Sequence, residues 1–148
     1  MEADSINEEI QKSFSKNISS QEANQMNPLN LAYIGDAVHE IYIRKYLLLN
    51  YNGKVNEVNK KCVKFVKATA QSRVVNTIME DLTLDEIKIV KKGRNASSKT
   101  VPKNTDLIDY KMATGFEALL GFLYLTGNSE RLEDIITKGI KISLAAIS

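Results

Sequence analysis

Two carboxylates occur in segments that are otherwise apolar and rich in small residues. Asp36 lies in residues 31–38, Leu-Ala-Tyr-Ile-Gly-Asp-Ala-Val, and Glu117 lies in residues 113–121, Ala-Thr-Gly-Phe-Glu-Ala-Leu-Leu-Gly. In both segments apolar residues recur at three- and four-residue spacing, which indicates helices. Glycine costs a helix interior about 1 kcal/mol relative to alanine, so the glycines in these segments predict a closely packed neighbour or a ligand. If the two helices cross closely, both carboxylates reach one point and form a site for a divalent cation.

Such a site suits the hydrolysis of a phosphodiester. One Asp and one Glu, together with water and a substrate phosphate, can complete the octahedral oxygen shell of Mg²⁺. Magnesium held in this way activates water and neutralises charge on the phosphate oxygens. We therefore assign Asp36 to metal binding and orientation of the attacking water, and Glu117 to metal binding. The alternatives are that Asp36 simply faces water, or that either carboxylate is buried with a structural partner.

Composition excludes several other kinds of site. A chain of 148 residues with 43% hydrophobic and 26% charged residues predicts one folded domain. Cys62 is the only cysteine and His39 the only histidine, which excludes an intrachain disulfide, a cysteine metal cluster and the usual histidine zinc site. We expect His39 on the surface or at a helix end. The N-terminus is polar and no apolar run approaches about 20 residues, which favours a cytoplasmic location.

Charge is distributed unevenly along the chain. The net charge is only +2, but residues 1–40 carry two Lys and seven acids (2 − 7 = −5), whereas residues 54–103 carry twelve Lys or Arg and five acids (12 − 5 = +7). A basic central stretch favours a polyanionic partner. A solvated lysine face on a helix is the alternative.

Periodicity and capping signals predict an all-α domain with five main helices. We expect helix A from Pro28 to about Asn50, helix B over about 54–80 with a possible break, helix C from the Thr83 capping box to about Lys92, helix D from a cap at Asn104 or Thr105 to near Gly127, and helix E from Ser129 to the C-terminus. Residues 1–26 should form a polar, mobile or peripheral extension, with a possible short helix around residues 6–14.

Residues 93–104 show no periodicity and contain three basic residues, a glycine and a proline. A loop of about 12 residues in a compact domain is usually functional or disordered. Arginine near serine and asparagine suits contacts with phosphate groups, which position a nucleic acid without reading its sequence. The sequence therefore predicts a loop that contacts a nucleic acid.

Both carboxylate segments resemble conserved helices of one enzyme family. Residues 31–38 resemble the signature helix of ribonuclease III endonuclease domains, and residues 114–125 resemble their second conserved helix, which contains Phe-Glu-Ala-Leu. Residues 92–96 and 101–105 look like the loop of the Mini-ribonuclease III subfamily, which has this catalytic domain without a double-stranded RNA-binding domain. The resemblance covers about 120 residues from Asn27 onward.

The resemblance implies a fold, an activity and a cofactor. The fold would be the ribonuclease III endonuclease-domain helical bundle, with residues 27–148 as the catalytic domain. The activity would be Mg²⁺-dependent cleavage of double-stranded RNA that matures the ends of large-subunit (23S) ribosomal RNA precursors, and Mn²⁺ is expected to substitute for Mg²⁺. Asp36 and Glu117 match the family's metal-binding acids. Two further family acids fall at Ala32 and Thr114, which leaves the number of metal ions open.

The resemblance also implies partners. We expect a homodimer that sets two active sites across an RNA duplex, with helices A and D at its interface, and a ribosomal protein is a possible partner that presents the substrate. The residues expected to bind RNA are Lys64, Lys67, Arg73, Lys91, Lys92, Arg94, Asn95, Lys99 and Lys103. Two alternatives remain: an RNA-binding or ribosome-associated scaffold without catalytic activity, and a helical protein-interaction module.

Overall fold

A computed structural model describes residues 2–97 and 100–147, and every regular element within these ranges is helical. The elements are α1 (Glu2–Ser15), α2 (Ser20–Gln25), α3 (Pro28–Asn50), α4 (Val55–Val66), α5 (Ala68–Ile78) with a 3₁₀ turn (Met79–Asp81), α6 (Leu84–Ala96), α7 (Leu107–Leu125) and α8 (Ser129–Ile147). The all-α prediction is confirmed. In the described part of the chain, no helix combines the length and apolar character needed to cross a membrane.

Side-chain caps fix where two of the site-forming helices begin. The Asn27 side chain accepts a hydrogen bond from the Leu29 amide at the start of α3. Thr83 and Glu86 form the predicted capping box at the start of α6, and the Thr83 amide donates to Glu86 Oε1 over 2.9 Å. Arg131 of α8 also donates to Glu86 Oε1, over 2.8 Å. One glutamate therefore both caps α6 and ties it to α8.

Helix α7 is the centre of the fold and packs against α3, α5 and α6. Its middle residues are buried almost without interruption, and Phe116, Leu119 and Leu120 are fully enclosed. Only the ends of α7 expose large apolar side chains, such as Ile108 and Tyr124. The prediction that helix D supplies a dimer interface is therefore wrong for most of its length, because its apolar residues fill the core of a single chain.

Glycines bring the backbones of α3 and α7 into direct contact. A Cβ atom added at Gly35 would overlap the carbonyl oxygen of Glu117, and one added at Gly121 would overlap the carbonyl oxygen of Leu31. No other residue type fits at either place without moving a helix. The predicted close crossing of the two carboxylate-bearing helices is confirmed.

The predicted helix B is two helices, as its possible break indicated. Lys67 separates α4 from α5 with an extended backbone, φ −65° and ψ 155°. The change of direction lets α4 pack against α3 while α5 packs against α7. Residues on the buried face of α5 thereby reach the neighbourhood of Glu117.

Two boundaries around the predicted loop were wrong. Helix α6 continues to Ala96, so Gly93, Arg94 and Asn95 are helical. Gly93 does not end the helix: it allows close packing on α7, where an added Cβ would lie 2.9 Å from Gly115 Cα. Helix α7 is capped by Asp106, whose Oδ1 accepts from the Asp109 amide over 3.1 Å, and not by Asn104 or Thr105.

The N-terminal residues divide into a peripheral helix and a packed segment. Helix α1 confirms the short helix expected around residues 6–14, and it buries no residue. Beyond it, the Ile18 amide donates to the Leu125 carbonyl over 2.9 Å, and Ala23 of α2 is fully buried. The domain boundary near residue 27 stays a prediction.

Replacement of Gly121 by alanine should destabilise the fold strongly. The new Cβ must push α3 away from α7, and overpacking of this kind costs about 1–3 kcal/mol or more. Urea unfolding of Gly121→Ala should show a lower midpoint with an unchanged slope.

Gly53→Ala is the matched control, because its added Cβ would meet mainly the flexible side chain of Glu57. Equal midpoints for Gly121→Ala and the wild type would contradict the backbone contact.

Candidate active site

Asp36 and Glu117 line one pocket at the crossing of α3 and α7. The pocket holds about 250 Å³, and its lining residues are Leu29, Ala32, Tyr33, Asp36, Ser97, Tyr110, Thr114 and Glu117. Asp36 is exposed at the surface, whereas Glu117 is partly buried. Asp36 follows Gly35 directly and Glu117 lies one turn before Gly121, so the backbone contact places both residues at the crossing.

The two carboxyl groups interact strongly. Burial raises the pKa of Glu117 most, the hydrogen bond and negative charge of Asp36 raise it further, and a hydrogen bond from Gln71 offsets part of the effect, leaving a pKa of about 9. At neutral pH the pair therefore retains a proton at Glu117. A carboxyl group that keeps its proton beside another carboxylate marks a place where positive charge is favourable.

Behind Glu117 lie two buried polar side chains that the sequence did not reveal. His39 is 5% exposed and Gln71 is 2% exposed, and Gln71 Nε2 lies 3.0 Å from His39 Nδ1. The His39 ring packs edge-on against Phe116, with centroids 5.4 Å apart. Burial lowers the pKa of His39 to about 4, so the ring is neutral, although the charge of Asp36 opposes the shift.

The surface or helix-end position predicted for His39 was wrong. The available signal was its spacing: His39 lies three residues after Asp36, on the turn of α3 that also faces α7. The sequence offered a weaker indication that Gln71 belongs to the site, because a single amide in the predicted helix B forms no distinctive pattern.

Ala32 and Thr114 line the pocket at the two positions where the ribonuclease III pattern has further acids. Thr114 Oγ1 donates to the Tyr110 carbonyl over 3.0 Å and lies 3.3 Å from Ser97 Oγ. These hydroxyls are thus engaged with one another.

Within residues 2–97 and 100–147 no group of three His, Cys, Asp or Glu residues could hold a metal ion. A cation here would take two protein carboxylates and complete its shell from water and substrate.

None of the predicted RNA-binding residues that the structure describes lines this pocket. The exposed ones are Lys64, Lys67, Arg73, Lys91, Asn95 and Lys103. Lys64 lines a separate cavity with Leu144 and Ile147 at the end of α8. Lys92 Nζ donates to the Asn24 carbonyl over 2.9 Å and so ties α6 to α2. Lys99 lies outside the described residues.

Arg94 lies near the C-terminal end of α6. It lies one turn before Ser97, which lines the pocket, and it is partly exposed. Its Nε donates to Asn95 Oδ1 over 3.3 Å. The last turn of α6 and its C-cap therefore carry both a guanidinium group and a residue that lines the pocket.

Known proteins are similar to this chain in sequence and in fold. The ribonuclease III domain family matches residues 29–128. A protein of Clostridium tetani named Mini-ribonuclease 3 is 52% identical over 117 residues, covering 78% of each chain. A Mini-ribonuclease 3 of Streptococcus pneumoniae is 42% identical over 118 residues, covering 78% of this chain and 92% of its own.

The fold comparison agrees with the sequence comparison. The crystal structure of a protein from Fusobacterium nucleatum superposes with a TM-score of 0.73 at 35% identity, and the match covers 79% of this chain and 93% of the other. The carboxylate pocket lies within the matched family domain, at residues 29–117. This chain therefore belongs to the ribonuclease III family, within its Mini-ribonuclease III branch, and is an endonuclease of the ribonuclease III type.

Proposed function

We propose that this chain hydrolyses phosphodiester bonds of double-stranded RNA with Mg²⁺, or Mn²⁺ in its place, bound by Asp36 and Glu117. The observation that carries the proposal is the convergence of these two carboxyl groups in one pocket, where they hold a proton between them. The family's preference for duplex RNA supports this substrate class. We further propose that the physiological substrate is the 23S ribosomal RNA precursor, processed in the cytoplasm.

The two carboxylates have different surroundings and so different tasks. A bound divalent ion would supply Lewis acidity to the phosphate and a lowered pKa for water. Exposed Asp36 can reach solvent, so it orients the attacking water as well as contacting the cation. Glu117 is partly buried and hydrogen-bonded from behind by Gln71, so it serves as the fixed ligand.

RNA binding would combine Arg94 with the exposed basic residues of α4, α5 and α6. Double-stranded RNA is recognised mainly by its shape and backbone. Contacts made by Lys and Arg with phosphates release counterions, so the affinity should fall steeply with salt. Lys92 is less suited to this role because its Nζ is bonded to the Asn24 carbonyl.

The exposed face of α3 supports a homodimer. Tyr33, Ile41 and Leu48 are 83%, 66% and 66% exposed, and their spacing places them along one side of the helix. An apolar stripe of this kind usually marks an interface, and a two-fold contact would bury both copies. Tyr33 also lines the pocket, so such a dimer would bring a second chain to the edge of the site. Sedimentation equilibrium should then give twice the chain mass of 16.6 kDa.

Two further proposals concern a protein partner and an alternative function. A ribosomal protein could present the RNA to an enzyme of this size. A scaffold that binds RNA without cutting it is the alternative function, and it predicts RNA binding but no cleavage with any divalent ion.

Cleavage of a paired RNA duplex tests the main proposal. With Mg²⁺ the purified protein should cut the duplex, and Asp36→Asn and Glu117→Gln should each lower the rate by 100-fold or more while leaving duplex affinity nearly unchanged. Glu80→Gln, which removes an exposed carboxylate outside the pocket, is the control and should cut normally.

A 23S precursor fragment and an unrelated duplex of equal length should be compared in the same assay. Absence of cleavage on both, with binding retained, would favour the scaffold. Cleavage that persists in both carboxylate variants would remove the pocket from the chemistry.

Arg94→Ala should weaken duplex binding several-fold and flatten its salt dependence, since one phosphate contact is lost. Lys88→Ala removes the same charge from an exposed position on α6 and serves as the matched control. Fluorescence anisotropy at several salt concentrations measures both effects. If the two variants lose affinity equally, net charge and not the position of Arg94 is responsible.

The metal-free protein should lose stability as the pH rises. Glu117 has a pKa of about 9 in the folded chain, above its ordinary value of 4.5, so between these values the folded state binds more protons than the unfolded state. The free energy of unfolding must then fall with rising pH across this window. Urea unfolding of the wild type from pH 7 to pH 9, above the range in which the lowered pKa of His39 acts in the opposite direction, should show this fall, and Glu117→Gln should reduce it. Equal pH slopes would contradict the shared proton.

A further inference from the structure

A buried amide contacts the carboxylate site from the side opposite the pocket. Gln71 lies on the inner face of α5, which packs against α7, and its side chain hydrogen-bonds Glu117. The same amide nitrogen lies 3.0 Å from His39 Nδ1. A primary amide nitrogen has two N–H donors, so Gln71 can donate to His39 and to Glu117 at the same time. Gln71 thus links the helix that carries Glu117 to the helix that carries Asp36.

We propose that Gln71 is a positioning residue that holds the Glu117 carboxylate in the orientation needed to bind the divalent cation, with His39 as the anchor of its amide. This inference rests on the proposed function, because it assumes that Asp36 and Glu117 bind a metal. Nothing in the ribonuclease III pattern described above assigns a task to either side chain.

The contacts around Gln71 allow only one orientation of its amide toward an ionised Glu117. A 180° flip would direct Oε1 at the carboxylate, and two acceptor oxygens would then face each other. His39 is neutral, and its Nδ1 accepts from Gln71 when the ring proton is on Nε2. The hydrogen bond to His39 therefore fixes the direction in which the second N–H points, which is toward Glu117.

The neutrality of this donor matters for metal binding. A Lys or Arg at the same place would also hold the carboxylate, but its positive charge would neutralise Glu117 and repel the incoming cation. An amide leaves the negative charge available while it restricts the side chain. Partners of metal ligands act in this way in many sites, and their loss typically weakens metal affinity about 10–100-fold.

A purely structural role predicts a different result. Burying an amide contributes little net stability, and an apolar side chain of similar size is often tolerated when no partner is left unpaired. If Gln71 only filled space, Gln71→Leu would leave metal affinity intact. Metal affinity therefore separates positioning from packing.

The experiment measures Mn²⁺ binding by the decrease of the free-ion electron paramagnetic resonance signal, alongside duplex cleavage over a range of Mn²⁺ concentrations. In Gln71→Leu the Mn²⁺ dissociation constant should rise by 10-fold or more, and the cleavage rate should recover to within about threefold when Mn²⁺ is saturating. Ser72→Ala is the matched control: it removes the neighbouring buried polar side chain of α5, whose Oγ bonds Asn76 and not the site.

His39 provides a second test of the same arrangement. His39→Leu removes the acceptor for the Gln71 amide, so Mn²⁺ affinity should fall, though by less than in Gln71→Leu. His39→Asn retains an oxygen acceptor near the position of Nδ1 and should restore most of the affinity. Both variants lose the ring contact with Phe116 equally, so a difference between them reports on the hydrogen bond.

Each outcome decides one question. Wild-type protein that neither binds Mn²⁺ nor cleaves RNA would overturn the proposed function itself. Wild-type binding with unchanged affinity in Gln71→Leu, or a lower cleavage rate that saturating Mn²⁺ does not restore, would overturn the positioning role alone. If Gln71→Leu fails to fold, Gln71→Met supplies an unbranched side chain without donors, and the same comparison applies.

Discussion

The contact between the backbones of α3 and α7 is the constraint on which the site depends. Gly35 lies against the Glu117 carbonyl and Gly121 lies against the Leu31 carbonyl. Each glycine costs its helix about 1 kcal/mol of intrinsic stability, and the burial of the apolar residues of α7 offsets this. Because the carboxylates project from the crossing point itself, short side chains suffice to bring them together. The crossing of the two helices therefore determines where the two carboxylates meet.

Placing Asp36 and Glu117 together creates repulsion between two carboxylates, and the neighbouring side chains reduce this repulsion only in part. Two carboxyl groups in a partly buried pocket disfavour double ionisation, and the raised pKa of Glu117 is the result. A nearby Lys or Arg would relieve the repulsion, but the hydrogen-bond partners of Glu117 are Asp36 and the neutral amide of Gln71. Positive charge is therefore favourable in the pocket, and the proton that Glu117 keeps is one form of it. Strain of this kind is common where function and stability make opposite demands.

The sequence was informative wherever a local signal had one physical meaning. The glycines next to Asp36 and Glu117 correctly predicted the close crossing, since few other causes place glycine in an apolar helix. The same residue type misled at position 93, because a glycine followed by polar residues is equally typical of a loop. Only the contact of Gly93 with Gly115 on α7 distinguishes the two cases, and that contact is tertiary.

Periodicity was ambiguous in α3 for a similar reason. This helix is apolar on several sides, so the pattern did not determine which side is buried: Ile43 is enclosed, whereas Ile41 is exposed. For this reason the sequence did not show that His39 is buried. Gln71 joins the site only through the packing of α5 on α7, which no local pattern predicts. Charge counts likewise identified a basic region but not which of its residues face the pocket.

The absence of acids at Ala32 and Thr114 bears on how many cations the pocket suits. Four converging carboxylates would require two divalent ions to balance their charge, whereas Asp36 and Glu117 together match the charge of one. Thr114 donates its hydroxyl to the Tyr110 carbonyl and Ala32 offers no ligand atom, so a second ion would find no carboxylate at these two positions. Charge balance therefore favours one protein-held cation per chain, a stoichiometry that a Mn²⁺ titration measures directly.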